Sequence, residues 1–151
     1  MNYLERLNEV QREAATHTEG SLLILAGAGS GKTGTMTTRI AYMVEGKGIS
    51  PYEILAVTFT NKAAHEMRER VEELIGSGLN MWILTFHSAC LRILRRHAEI
   101  VGYTNDFTIY DTSDQKELIK KCMNALEISD KNFKPNAVLS AISSAKEKAM
   151  D

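Results

Sequence analysis

Between Ala26 and Thr33 the chain reads Ala-Gly-Ala-Gly-Ser-Gly-Lys-Thr, directly after the apolar run Leu22-Leu23-Ile24-Leu25. No other stretch limits the fold so tightly. Glycines spaced this closely let successive backbone N–H groups converge on one point, and a helix that follows aims its positive end at the same point. The pattern predicts a buried strand, a phosphate-binding loop and a helix, with a nucleoside triphosphate as ligand. Ala26, Gly27, Ala28, Gly29, Ser30 and Gly31 form the cradle, Lys32 brings a point charge to the outer phosphates, and the Thr33 hydroxyl is the candidate magnesium ligand. The strict motif opens with glycine; Ala26 stands there, which leaves Gly29 and Gly31 in the tightest part of the loop.

Strand-like and helix-like patterns alternate around this loop. Leu4, Leu7, Val10 and Ala14 fall at helical spacing, residues 21–26 read as a short strand, and a helix is expected over 32–45. Residues 54–59 form an apolar run of the kind buried on both faces of a parallel sheet, after the turn signal Gly46-Lys47-Gly48-Ile49-Ser50-Pro51. Thr60 and Asn61 are good caps for a second helix; residues 81–86 make a third run, followed by a helix over about 88–101. Such alternation implies an α/β fold, a doubly wound parallel sheet with right-handed crossovers.

The last third changes character. Phe107-Thr108-Ile109-Tyr110 is a candidate strand, Thr112-x-x-Gln115 a candidate capping box, and Pro135 a first helical residue, with no further buried parallel strand. The chain is therefore divided into 1–110, the α/β part, and 111–151, a helical appendage.

Bulk properties exclude several classes. With 44% hydrophobic and 25% charged residues the chain is globular rather than disordered. Lys and Arg number 18 against 19 acidic residues, so any nucleic-acid contact must be local. Cys90 and Cys122 sit in helical patterns without metal-ligand spacing and read as core or boundary thiols. No signal-peptide profile is present and no apolar stretch approaches the roughly 20 residues of a membrane span, so a cytoplasmic protein with no membrane partner is expected.

Hydrolysis of a triphosphate generally needs a second acidic site at the end of another strand. Asp111 is the best candidate, but Thr108 interrupts its apolar run and Thr112 follows it, so it reads more simply as a helix cap.

The residues around each strand carry a more specific signal. Leu7-Asn8-x-x-Gln11-x-x-Ala14 before the first strand, 26–33 after it, Thr58-Phe59-Thr60-Asn61-Lys62-Ala63-Ala64-x-x-Met67 after the second and Thr85-Phe86-His87-Ser88 after the third resemble, in that order, the Q motif and motifs I, Ia and Ib of the UvrD/Rep/PcrA-type helicases of superfamily 1A. Four motifs in order are far more specific than one. The similarity extends through Arg92-x-x-Arg95-Arg96 and residues 141–146, so it covers essentially the whole chain.

This resemblance implies a P-loop, RecA-like sheet with helices on both faces, followed by the start of a helical insert subdomain. It implies ATP and Mg2+ as cofactors, with Lys32 stabilising charge on the transferred phosphoryl group, and Gln11 reading the adenine edge through its amide. Thr60, Asn61 and Lys62 would contact single-stranded DNA, Phe59 would stack on a base, and Thr85, Phe86 and His87 would guide the strand at the same sheet edge. Arg92, Arg95 and Arg96 share a helical face and would either reach phosphates or form a solvated basic surface. At Gly34, where many members carry a basic residue, nucleotide contacts would be reduced. The implied function is the N-terminal, ATP-binding portion of a 3′ to 5′ DNA helicase of repair or replication, acting on single strands and duplex junctions. The acidic motif II and the second motor domain would belong to the remainder of the helicase chain, so this portion would bind nucleotide without unwinding DNA. Two alternatives stand beside it: a non-catalytic nucleotide-binding module, and a small-molecule kinase, which would not need Thr-Phe-Thr-Asn and Thr-Phe-His-Ser at successive strand ends.

Overall fold

The computed structural model describes residues 2–78, 80–129 and 131–148. Met1, Leu79, Asp130 and residues 149–151, which the two expected segments include, lie outside the described residues. The chain forms two compact units, Met1–Asn105 and Asp106–Asp151.

In the first unit the apolar spacing of Leu4 to Ala14 spans two elements, a 3-10 helix (Asn2–Arg6) and α1 (Glu9–Thr16). Asn8 separates them, its side chain accepting from the Gln11 backbone N–H while the Gln11 side chain accepts from the Asn8 N–H. This reciprocal cap satisfies two N–H groups that a helix start otherwise leaves without partners. The helix expected over 32–45 is α2 (Lys32–Ala41), continued by one π-helical turn (Tyr42–Gly46). Buried threonines fit this helix because their hydroxyls return to the preceding turn: Thr35 donates to the Gly31 carbonyl at 3.2 Å and Thr37 to the Gly34 carbonyl at 3.1 Å. Arg39 fastens α2 to the end of α1 by donating to the carbonyls of Ala14 and His17.

β1 (Leu55–Thr58), α3 (Asn61–Ile75) and β2 (Trp82–Thr85) form a parallel βαβ unit whose register runs from Leu55↔Trp82 to Thr58↔Thr85. Ile40 of α2, Ile54, Val71 of α3, Met81 and Ile83 of β2 make the core. α4 (Phe86–His97) starts two residues earlier than the sequence pattern suggests, because the Thr85 hydroxyl accepts from the Ser88 N–H and opens the helix there. It ends in a 3-10 turn (Ala98–Val101). α3 opens on Thr60, whose hydroxyl accepts from the Ala63 N–H at 3.1 Å. Thr60→Ala is expected to destabilise the protein by about 1 kcal/mol, read as a lower denaturant midpoint at unchanged slope.

Several expectations need correction. Among the described residues the sheet has two strands, not the width of a doubly wound sheet. Residues 21–26 do not form a strand, and Leu23 and Leu25 are 82% and 86% exposed. An apolar run becomes a strand only when a neighbour takes its hydrogen bonds, and among the described residues none lies alongside. Residues 107–110 are not a strand either. β1 is not buried on both faces, since Leu55 is exposed and the rest half-buried. Cys90 and Cys122 are both exposed free thiols, not core or boundary groups.

The second unit consists of α5 (Thr112–Ala125) and α6 (Pro135–Glu147), packed on each other. The capping box that opens α5 is one residue earlier than Thr112 and Gln115 suggest. Asp111 is the cap and Asp114 its reciprocal partner, because a carboxylate accepts two N–H groups at once. Pro135 takes the first position of α6, where its missing N–H costs nothing. No helix among the described residues is long and apolar enough to cross a membrane.

Candidate nucleotide and nucleic-acid site

The glycine-rich loop leads directly into α2. Gly29 and Gly31 have φ of +74° and +81°, a region open to glycine at little cost, and Gly31 is the residue before the first helical turn. Ser30 closes the loop on itself, its hydroxyl donating to the Gly27 carbonyl at 2.7 Å. The Lys32 ammonium folds back over the same turn and donates to the carbonyls of Ala26 at 3.1 Å and Gly27 at 2.5 Å. Anion-seeking backbone N–H groups at a helix start, a cation on a flexible stem and an exposed Thr33 in the first turn fit a magnesium–triphosphate group.

Two cavities flank the loop. One, of about 330 Å³, is lined by Asn8, Gln11, Gly27, Ser30, Lys32 and Thr35 among others, with no carboxylate in its wall among the described residues. The other, of about 360 Å³, includes Tyr3, Arg6, Gln11, Gly31, Gly34 and Arg70. Gln11 belongs to both walls. A Cβ on Gly34 would meet nothing within 4 Å, so the wall is open at this position.

The second candidate surface lies where β1 and β2 end. Their register pairs Thr58 with Thr85, so β1 and β2 end level with each other, β2 running straight into α4 and β1 reaching α3 after Phe59 and Thr60. Phe59 and Phe86 follow immediately, with ring centroids 5.5 Å apart and planes inclined by 43°. Phe59 is 89% exposed, far more than core packing requires. Asn61, Lys62 and His87 are exposed around the pair, and Lys62 makes only a 3.8 Å surface ion pair with Glu66. Thr60 and Thr85 also serve the backbone. Both cap helices, and Thr85 is buried with its hydroxyl also donating to the Ser88 hydroxyl at 2.9 Å. The edge as a whole offers two helix N-termini, a lysine and two aromatic faces, a combination suited to a phosphate backbone with splayed bases.

The basic helical face is already engaged. The guanidinium groups of Arg92 and Arg96 lie 5.0 and 5.1 Å from the Trp82 ring centre, and Arg95 donates to the Asn105 carbonyl. Sequence spacing showed the shared face but not the ring beneath it. Tyr3 is buried, and burial, followed by the charge of Glu45 near its hydroxyl, raises its pKa. Asp111 caps α5, its carboxylate accepting from the N–H groups of Ser113 at 2.7 Å and Asp114 at 2.9 Å.

Comparison with known proteins follows the same lines. The family model described as the UvrD/REP helicase N-terminal domain matches residues 7–151. The chain is 50% identical over 152 residues to a Bacillus subtilis protein named ATP-dependent DNA helicase PcrA, covering 97% of this chain and 21% of that one. It is 51% identical to the PcrA of Staphylococcus aureus strain Mu50, over 95% of this chain and 20% of the relative. For the PcrA of Staphylococcus epidermidis the identity is 52%, over 97% and 20%. The chain thus spans about a fifth of the length of the curated relatives it matches.

Proposed function

The chain belongs to the family of UvrD/REP helicase N-terminal domains, and from that membership we propose that it is the ATP-binding portion of a 3′ to 5′ DNA helicase that moves on single strands and opens duplex junctions in repair or replication. Residues 26–33 hold the triphosphate, with Lys32 on its outer oxygens and Thr33 on Mg2+. When bound, the metal neutralises charge on the phosphates. Gln11 meets the base. Phe59 and Phe86 form the stacking platform for single-stranded DNA, Asn61, Lys62 and His87 reach its backbone, and Thr60 and Thr85 hold the two turns in place by capping. Residues 1–110 are read as part of the first motor domain and 111–151 as the start of its inserted helical subdomain, in a cytoplasmic protein.

The observation that carries this reading is the level ending of β1 and β2, which sets two phenylalanine rings 5.5 Å apart beside two helix starts. A net charge of only -1 makes such a local surface necessary. Binding of a labelled oligothymidine tests it: affinity is expected to fall as salt rises, because each neutralised phosphate releases counterions. No binding at low salt would overturn the DNA assignment.

A second reading applies to the chain by itself, as a nucleotide-binding module without turnover. The lack of a carboxylate, among the described residues, around the cavity beside Lys32 favours it, as does the commitment of Asp111 to its cap. Calorimetric binding of a magnesium–nucleotide without phosphate release is expected. Release abolished by Lys32→Ala would show instead that the chain is a complete hydrolase.

A further inference from the structure

We propose that Gln11 is a positioning residue that sets the shape of the phosphate loop before any ligand arrives, in addition to meeting the base; the inference rests on the reading of 26–33 as a nucleotide site. Both ends of its carboxamide are in use. Oε1 accepts from the Asn8 N–H at 3.1 Å, and Nε2 donates to the Ser30 carbonyl at 3.0 Å, across 19 residues of chain. Among the described residues this is the only hydrogen bond that ties 26–31 to an element outside the loop and the helix it opens. The other bonds, from Ser30 and Lys32 to Ala26 and Gly27, close the loop on itself.

The strut acts on one particular peptide group. In a trans peptide the carbonyl and the following N–H point in opposite directions. With the Ser30 carbonyl held toward Gln11, the Gly31 N–H must face away from it, at the start of α2 where a helix favours an anion. Contact is close: a Cβ on Gly31 would lie 2.9 Å from Gln11 Nε2, so this residue is glycine for its neighbour as well as for its φ of +81°. Gln11 is itself anchored in the first turn of α1 by its N–H donating to Asn8 Oδ1 at 2.9 Å. Each end of the amide keeps one N–H or lone pair free for a base, so a nucleoside that engages Gln11 pulls on the same group that orients the loop.

The test uses a ligand with no base. Magnesium tripolyphosphate and a magnesium–ATP analogue are titrated into the unaltered chain, Gln11→Ala and Arg12→Ala, with hydrogen exchange of the loop amides followed in the free protein. Gln11→Ala is expected to weaken tripolyphosphate binding by about fivefold to tenfold, as loss of one orienting hydrogen bond predicts, and to speed exchange at Gly31. Arg12→Ala, which frees the Leu4 and Leu7 carbonyls at the start of α1 but leaves both bonds of the Gln11 amide and its Asn8 anchor, is expected to stay within about twofold. Unchanged tripolyphosphate affinity with weakened ATP binding would make Gln11 a base reader alone. Equal losses in both variants would assign the effect to the start of α1, and either result overturns the proposal. Failure of the unaltered chain to bind either ligand would instead remove the nucleotide-site reading, and the strut with it.

Discussion

Lys32→Ala should lower affinity for a magnesium–nucleotide analogue by roughly a hundredfold or more while leaving the thermal melt unchanged. Hydrogen bonds to charged partners contribute about 1.5–3 kcal/mol each, and the ammonium is placed to make more than one with the outer phosphates. The fold is expected to survive because Lys32 is exposed and its present partners, the Ala26 and Gly27 carbonyls, lie within the loop and remain open to water. α2 keeps its start, since the Thr35 N–H and hydroxyl still meet the Gly31 carbonyl. Isothermal titration beside a melting curve checks both parts. Retained affinity would show that residues 26–33 are a glycine turn with some other purpose.

The double substitution Phe59→Ala with Phe86→Ala should weaken oligothymidine binding by roughly tenfold to a thousandfold, the range expected when one or two bases lose stacking worth about 1–3 kcal/mol each. Phe59 is 89% exposed, so its removal creates no cavity. Phe86 is 47% exposed and opens α4, where alanine is a better helix former. Stacking releases no counterions, so the salt dependence of binding should keep its slope while the affinity falls. Fluorescence anisotropy at several salt concentrations reads both quantities. A full-strength complex from the double variant would place the DNA contact elsewhere; a reduced slope would mean that phosphate contacts, not rings, had been lost.

How much of this was legible in the sequence depends on the range of the forces involved. The glycine-rich loop, the helix after it and the caps Thr60 and Asp111 were legible because glycine conformation and side-chain capping act within a few residues. The candidate site residues could be named from motif order alone. Their arrangement could not: the level ending of β1 and β2, the Phe59–Phe86 contact and the reach of Gln11 to Ser30 are made between segments distant in the chain. The stretch 21–26 failed for a related reason. Periodicity reports that a segment is apolar enough to be a strand, but pairing is decided by a neighbour. Cys90 and Cys122 failed because helical spacing gives a residue's face, while burial depends on what covers that face.

The bare segment before the loop has a thermodynamic consequence. Leu22-Leu23-Ile24-Leu25 leads into the glycine-rich loop, yet among the described residues no backbone partner holds it. If the loop takes a nucleotide as proposed, part of the conformational entropy that a docked strand would already have given up is surrendered on binding. Any chain segment that pairs with 22–25 would raise the affinity of the loop for nucleotide, and by reciprocity nucleotide would tighten that pairing by the same factor. Affinity measured on these 151 residues is then a lower bound on what the same loop achieves with its strand in a sheet.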